Sequence, residues 1–365
     1  MGRERRTPER PADDAARRPS IATVAAAAGV SPTTVSHALS GSRAVRAETR
    51  ERVIRAAAEL GYTPNRLASG LRLQRTGVIG LASDRIATTA FAGRIVQGAQ
   101  EAARDRDAVL MIVDSEGDAE LEAQQLRSLG DHRVDGILLA RMFHQEVRRP
   151  EALPATPVVL VDAVPVDGWR VPAIAPDEHA IAITAVEHLL SAGHRRIAFA
   201  TTTDDAPASH GREAGFRAAL AAAGLDGSGA LVERGTSDAI GGRTAGMRLL
   251  DRPEQERPSA VFCFNDQMAM GVYQVAAALG LDVPGDCSVL GVDDLDIVAG
   301  ALEPGLTTIA LPHREMGRWG MTRLLDLIDR AGRVDDGAAG ATDAAGPLYL
   351  RCELVERGSV APPRR

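Results

Sequence analysis

The chain has 365 residues, 45% of them hydrophobic and 25% charged, which is too long for one small core and too apolar for wholesale disorder. All 42 basic residues are arginine, and a chain without lysine has no Walker A loop and no Schiff-base or pyridoxal phosphate chemistry. The net charge of −7 hides an uneven division: residues 1–75 hold 14 arginines against 7 acids, and the remainder holds 28 against 42. A basic head on an acidic body points to a nucleic-acid-binding module joined to a second unit, with a basic solvated tail as the plainer reading.

Residues 1–20 mix arginine, proline and acids without periodicity and are expected to be a disordered extension. From Ile21 the pattern changes. Ile21, Val24, Ala25 and Ala28 recur at helical spacing and stop at Gly29, a residue suited to positive φ at a helix end. Ser31 and Pro32 then supply an N-cap and a first-turn proline for a second helix that reaches about residue 40. That helix should bury Val35 and Leu39 and present Thr33, Thr34, Ser36 and His37 outward. A third helix, about 47 to 60 and ended by Gly61, would complete the core through Val53, Ala57 and Leu60. Two short helices around a glycine turn make a helix-turn-helix, whose polar second helix suits a major groove ~12 Å wide. An unrelated three-helix bundle is the competing reading. Beyond Gly61, Asn65 caps a segment 66–71 that contains Gly70 and is too short to be helical alone in water, so it should order only against a partner.

The body reads as α/β. Short apolar runs at 77–82, 108–113, 134–140 and 157–162 alternate with amphipathic stretches at 92–105 and 118–129, and the scheme repeats with 196–200, 259–264 and 287–292. Such alternation predicts parallel sheets covered on both faces, here two doubly wound lobes. Ligands in such sheets sit beyond the carboxyl ends of the strands, which singles out Asp84, Asp162, Asn265 with Asp266, and Asp293 with Asp294. Asp266 and Asp294 are the ones expected to cap or brace loops. Cys263, Cys287 and Cys352 form no C-x-x-C pair and read as small core residues. Metal-protease, nucleophile-elbow and dinucleotide fingerprints are absent, and no cofactor or metal is implied. The arginine-rich start is no signal peptide and no stretch is long and apolar enough to span a membrane, so a cytoplasmic location is expected.

The run from Val24 to Ser36, V-A-x-x-A-G-V-S-x-x-T-V-S, is followed by T-R-x-x-V at 49–53 and G-Y-x-P-N at 61–65. With R-V-D-G-I-L-L at 133–139, E-H-L-L-x-x-G-H-R-R-I-A at 187–198, A-G-F-R-A-A-L at 214–220, F-N-D-Q-M-A-M-G at 264–271, G-V-D-D at 291–294 and L-V-x-R-x-S at 354–359, the chain resembles the LacI/GalR family of bacterial transcription regulators. The similarity covers nearly everything after residue 20.

That resemblance implies an all-α helix-turn-helix head on a two-lobed body similar to periplasmic binding proteins. Its parts would be an extension at 1–20, the DNA-binding domain at 21–63, a hinge and linker at 64–75, and an effector and dimerisation domain at 76–365. Lobe 1 would hold about 76–175 and 310–340, and lobe 2 about 176–309 and 341–360. The implied activity is repression through an inverted-repeat operator, switched by a sugar-like effector; a solute-binding protein or cleft enzyme of the same fold is the alternative. Thr33, Thr34 and His37 would meet base edges, with Pro32 and Ser36 beside them, while Ser31, Ser42, Arg43 and Thr49 lie nearer phosphates. The hinge, with Asn65, Arg66 and Ala68, would enter the minor groove with Leu71 as its wedge. In the cleft, Asp162, Asn265 and Asp293 match positions that bond effector hydroxyls, and Asp84 and Phe91 match a wall. There are departures: the family's clamping arginine aligns with His210, with Arg212 two residues on; Ser237 and His313 stand where aromatics are usual; and a familiar D-N pair is Asp177-Glu178. No leucine heptads follow 354–359, so a homodimer and not a tetramer is expected.

Overall fold

The computed structural model describes residues 19–40, 43–62, 75–227, 229–331 and 346–364. The expected extension, the hinge and the loop at 332–345 lie outside the described residues. The chain divides into two compact units, Met1–Thr76 and Gly77–Arg365.

In the first unit, α1 (Ile21–Ala28) begins at Ser20, whose side chain accepts from the Thr23 N–H while the Thr23 side chain accepts from the Ser20 N–H. It ends at Gly29 with φ of 64°, a left-handed turn that lets the Val30 N–H return to the Ala25 carbonyl. α2 (Pro32–Ser40) starts with the Thr34 N–H donating to Ser31 Oγ at 3.1 Å. α3 (Ala47–Glu59) closes a core of Val24, Ala25, Ala28, Val35, Ala38, Val53, Ala56 and Ala57. Five of those eight residues are alanines, which lets three short helices approach closely around three valines worth ~1.5–3 kcal/mol each when fully buried. Two expectations fail here. Leu60 is exposed, because the helix stops at Glu59 and leaves Leu60 as its C-cap, and Leu39 is only half-buried at the edge of the core.

The second unit holds two six-stranded sheets. The first contains β1 (Val78–Ser83), β2 (Val109–Asp114), β3 (Gly136–Val147), β4 (Val158–Pro165), β5 (Ala173–Pro176) and β11 (Leu348–Leu350), in the order β11-β5-β4-β3-β1-β2 and parallel throughout. The second contains β6 (Ile197–Thr202), β7 (Val232–Gly235), β8 (Ala260–Cys263), β9 (Ser288–Asp293), β10 (Thr307–Ala310) and β12 (Glu353–Val355), in the order β12-β10-β9-β8-β6-β7. Only β12 runs antiparallel. The central strands are largely apolar because helices cover both faces: every residue of β4 from Val158 to Ala163 is buried, and Asp162 is the one charged residue in that span.

Around the first sheet lie α4 (Ala92–Arg104), α5 (Ala119–Asp131) and α11 (His313–Ala331). α4 and α11 cross so closely that a Cβ at Gly98 would run into the Arg314 carbonyl, and one at Gly317 into that of Ile95. Around the second sheet lie α6 (Glu178–Ser191), α7 (Pro207–Ala222), α8 (Ala239–Leu250), α9 (Asp266–Ala278) and the single turn α10 (Asp296–Ala299). Its core centres on Phe199, stacked on Phe262 at 4.7 Å and tilted against Phe216 at 5.3 Å.

The chain passes between lobes after β5, after β10 and between β11 and β12. The third crossing therefore lies between Leu350 and Glu353 and not near 340: Leu348–Leu350 pairs with β5 and belongs to lobe 1, whereas the placement of 341–360 had put it in lobe 2. In each sheet the strand order reverses once, between β1 and β3 and between β6 and β8, and the carboxyl ends beside those points open a crevice.

Candidate functional site

The exposed side of the helix-turn-helix is polar. Ser31, Pro32 and Thr33 are exposed, and Thr34, Ser36 and His37 are half-buried on α2. The hydroxyls of Ser31 and Thr34 lie 2.9 Å apart, so Ser31 serves first as the helix cap. Arg43 is exposed before α3 and Thr49 is half-buried within it. Ser42, Asn65, Arg66, Ala68 and Leu71 lie outside the described residues.

Between the lobes is a cavity of about 220 Å³. Lobe 1 contributes Phe91, Phe143, His144, Asp162 and His313; lobe 2 contributes Glu178, Arg212, Ser237, Phe264, Asn265 and Asp293. Arg212 is buried on α7, donating from Nε to Glu178 Oε2 at 2.7 Å and from Nη1 to the Phe264 carbonyl at 2.5 Å, with its guanidinium 4.4 Å above the Phe264 ring. Burial alone would push the Glu178 carboxyl up, but Arg212 and the neighbouring His144, with Nδ1 3.5 Å from Glu178 Oε1, leave it below the ordinary carboxylate range. At Asp162 the balance falls the other way: burial, then the Glu178 charge, push it up to about 7 against weaker lowering by His144 and Arg212. Asp293 is also pushed well up, by burial and then by Asp266. His313 stacks on Phe91 at 4.3 Å, and burial followed by the charges of Arg94 and Arg212 holds it down to about 3, so its imidazole is neutral.

The expected effector residues divide. Phe91, Asp162, Arg212, Ser237, Asn265, Asp293 and His313 line this cavity; Asp84 and His210 do not. Asp84 turns back into lobe 1, accepting from the Met142 N–H at 3.1 Å and Gln145 Nε2 at 3.0 Å. His210 faces solvent against Asp205, because two residues along a helix turn a side chain through ~200° and Arg212 takes the inward face. Asn265 is already engaged, capping α9 through the Met268 N–H and donating to the Ser237 carbonyl. Asp266 bonds the Leu295 N–H and Thr308 Oγ1, and Asp294 pairs with Arg357, so both brace loops.

Residues 20–65 match the model of bacterial regulatory proteins of the lacI family, and 186–360 match a periplasmic binding protein-like domain. The chain is 36% identical over 338 residues to the ribose operon repressor of Escherichia coli K12, covering 92% of this chain and 98% of that one. This chain belongs to the LacI family. The HTH-type transcriptional repressor PurR of Aliivibrio fischeri MJ11 is 33% identical over 84% of this chain and 91% of its own. The crystal structure of the lac repressor dimer bound to operator and the anti-inducer ONPF superposes with a TM-score of 0.75 at 28% identity, covering 94% of this chain and all of that one. As a LacI-family regulator the chain thus combines a DNA-binding head with an effector-binding body, and its relatives are transcription regulators, not enzymes.

For a regulator of this family, the unanticipated lining residues include His144, Glu178, Phe143, Phe264, Arg85 and Asp204. Glu178 carried a signal, an acid where the family shows an amide. His144 carried none, since β3 was expected to end at 140 and instead continues to Val147 beyond an irregularity between Ala140 and Gln145. No helix among the described residues is long and apolar enough to cross a membrane, and no cluster of three His, Cys, Asp or Glu residues among them could hold a metal.

Proposed function

We propose that this chain is a cytoplasmic homodimeric repressor that reads an inverted-repeat operator through α2 and is switched by a small hydroxylated metabolite held between the lobes. The observation that carries the reading is the set of polar atoms around the cleft left without a partner: Asp162 Oδ1, His144 Nε2 and both ring nitrogens of His313 are buried and unbonded. An unsatisfied buried polar group costs ~1–3 kcal/mol, so a ligand that supplies partners to these atoms removes that cost on binding. Arg212, locked by Glu178, then acts as a fixed clamp, with Asp162, Asn265 and Asp293 on hydroxyls. The ribose operon repressor among the relatives favours a sugar-like molecule, and a cavity of about 220 Å³, below the ~300–1,000 Å³ of drug-sized sites, favours a single ring. The body is a binder and not an enzyme in this reading.

On the DNA side, Thr33, Thr34 and His37 read bases, and Ser31, Arg43 and Thr49 hold phosphates. Half-site spacing is set by a dimer. Exposed Ile240, Met247 and Ile297 on lobe 2, with Val109 and Ile112 on the edge strand β2, are apolar surface available for that contact. The test is selection of binding sites from random duplexes with the purified chain. A symmetric consensus whose gel shift responds to a small sugar supports the proposal; no enrichment over non-specific, salt-sensitive binding overturns it.

A further inference from the structure

The charge inventory of the cleft is lopsided. Its buried cation, Arg212, is committed to Glu178 and to the Phe264 carbonyl, so that pair is neutral as a unit. Asp162, Asp293 and Asp204 remain on the lining. Asp204 is exposed and accepts from Thr202 Oγ1, and the exposed Arg85 also lines the cavity. Asp162 is 2% exposed and its Oδ1 has no partner; Asp293 sits half-buried across the cavity. The Asp162 charge adds to the raised proton affinity of Asp293, and Arg212 offsets only part of what burial does to either group.

The backbone aims both groups. Asp162 near the end of β4 has φ of 54° and Asp293 at the end of β9 has φ of 119°, a region that L residues adopt at a cost of ~1–3 kcal/mol. Either strand could avoid that cost by a local shift if nothing required the carboxyl to point into the crevice. Apart from Arg85, the rest of the lining adds neutral polar groups and ring faces: His313 is a neutral imidazole with both nitrogens unbonded, while Phe91 and Phe143 present aromatic surface. Carboxylates and aromatic faces around a site for one ring suit a positive charge, which aromatic faces attract at ~0.5–2 kcal/mol each.

We propose that the effector is a cation, a single-ring hydroxylated amine of the amino- or iminosugar class, whose protonated nitrogen lies against Asp162 and Asp293. This rests on the reading of the cleft as an effector site. The ammonium supplies a hydrogen bond to the unpartnered Asp162 oxygen and keeps both acids ionised; its hydroxyls meet Arg212, Ser237 and the His313 ring. A neutral sugar of the same size would leave at least one acid protonated or uncompensated.

The experiment is calorimetric titration of the full-length protein with matched pairs, 1,4-dideoxy-1,4-imino-D-ribitol against D-ribose and glucosamine against glucose. In at least one pair the cationic member should bind ten-fold or more tighter, about 1.4 kcal/mol. Asp162→Asn, and separately Asp293→Asn, should reduce that preference to two-fold or less, with circular dichroism confirming that each variant folds. Equal or tighter binding of the neutral members, a preference unchanged in both variants, or no binding of any probe at millimolar concentration overturns the proposal. A parallel gel shift separates this from the broader reading. A protein that binds its operator and answers only to the neutral sugar sinks the cationic effector alone, whereas one that prefers the amine and selects no DNA sequence sinks the regulator.

Discussion

Replacing Asp162 by asparagine should flatten the pH dependence of stability and raise stability at neutral pH. The carboxyl is held at about 7 against the usual 3.8, chiefly by burial. The folded protein therefore keeps a proton that the unfolded chain has already lost between about pH 4 and pH 7, and a state that binds more protons loses ground as pH rises. Each pH unit across that window costs about 1.4 kcal/mol, so between pH 5 and pH 8 this one group lowers stability by about 3 kcal/mol. Asp266, also pushed up to about 7 mainly by burial, acts in the same direction; His313, held down to about 3, acts oppositely as pH falls below its ordinary 6.5. Those contributions remain in both proteins and cancel in the difference between parent and Asp162→Asn. Both tryptophans, Trp169 and Trp319, lie in the body, so urea unfolding followed by their fluorescence reports the unit that contains the cleft. The variant should gain roughly 3 kcal/mol on the parent between pH 5 and pH 8. Parallel curves would mean that Asp162 is ionised and satisfied in the free protein.

Other perturbations probe separate parts of the argument. Glu178→Ala strands the buried Arg212 charge and should cost about 3–5 kcal/mol in urea unfolding; a cost below 1 kcal/mol would show that Arg212 is not held by this pair. Gly98→Ala drives a methyl into the Arg314 carbonyl and should destabilise the body by about 1–3 kcal/mol by the same fluorescence, whereas a neutral effect would rule out the close crossing of α4 and α11. His37→Arg gives a bidentate partner for guanine, and selected-site sequencing should show a changed base at one symmetric pair of positions; an unchanged profile removes His37 from the reading surface.

The parts of the fold that were readable from sequence are those where one local constraint dominates. Central parallel strands are apolar at nearly every position, which is why the runs at 157–161 and 287–292 stand out. β7 and β10, four residues each, carry no such pattern, β5 is too short at four residues to stand out, and the edge strand β11 belongs to the other lobe because its partner, 174 residues away in the chain, lies there. For the cleft, position after a strand found Asp162 and Asp293 but misplaced Asp84, whose direction is set by the Met142 and Gln145 groups of the extended β3. Glu178 was visible only as a departure from the family pattern, since its role depends on Arg212 34 residues on and on His144 in the other lobe.

The side chains that bridge the cleft also bear on what sets lobe closure. An exposed ion pair joins Arg94 on α4 to Asp296 on α10, and pairs so exposed contribute ~0–1 kcal/mol. The buried approach of His144 to Glu178 spans the lobes too, yet Glu178 already has Arg212, so the imidazole adds little that water would not replace on opening. The exposed link can hold the lobes closed by no more than about 1 kcal/mol, a bias of no more than several-fold in population. The unpartnered Asp162 oxygen and His313 nitrogens pull the other way, since opening would hydrate them. A ligand that bonds to Asp162 on lobe 1 and Arg212 on lobe 2 removes that pull and adds contacts present only when the lobes are together. In the proposed switch the differential affinity arises from polar groups that closure buries without protein partners, so the residues proposed to recognise the effector are also those that would make closure depend on it.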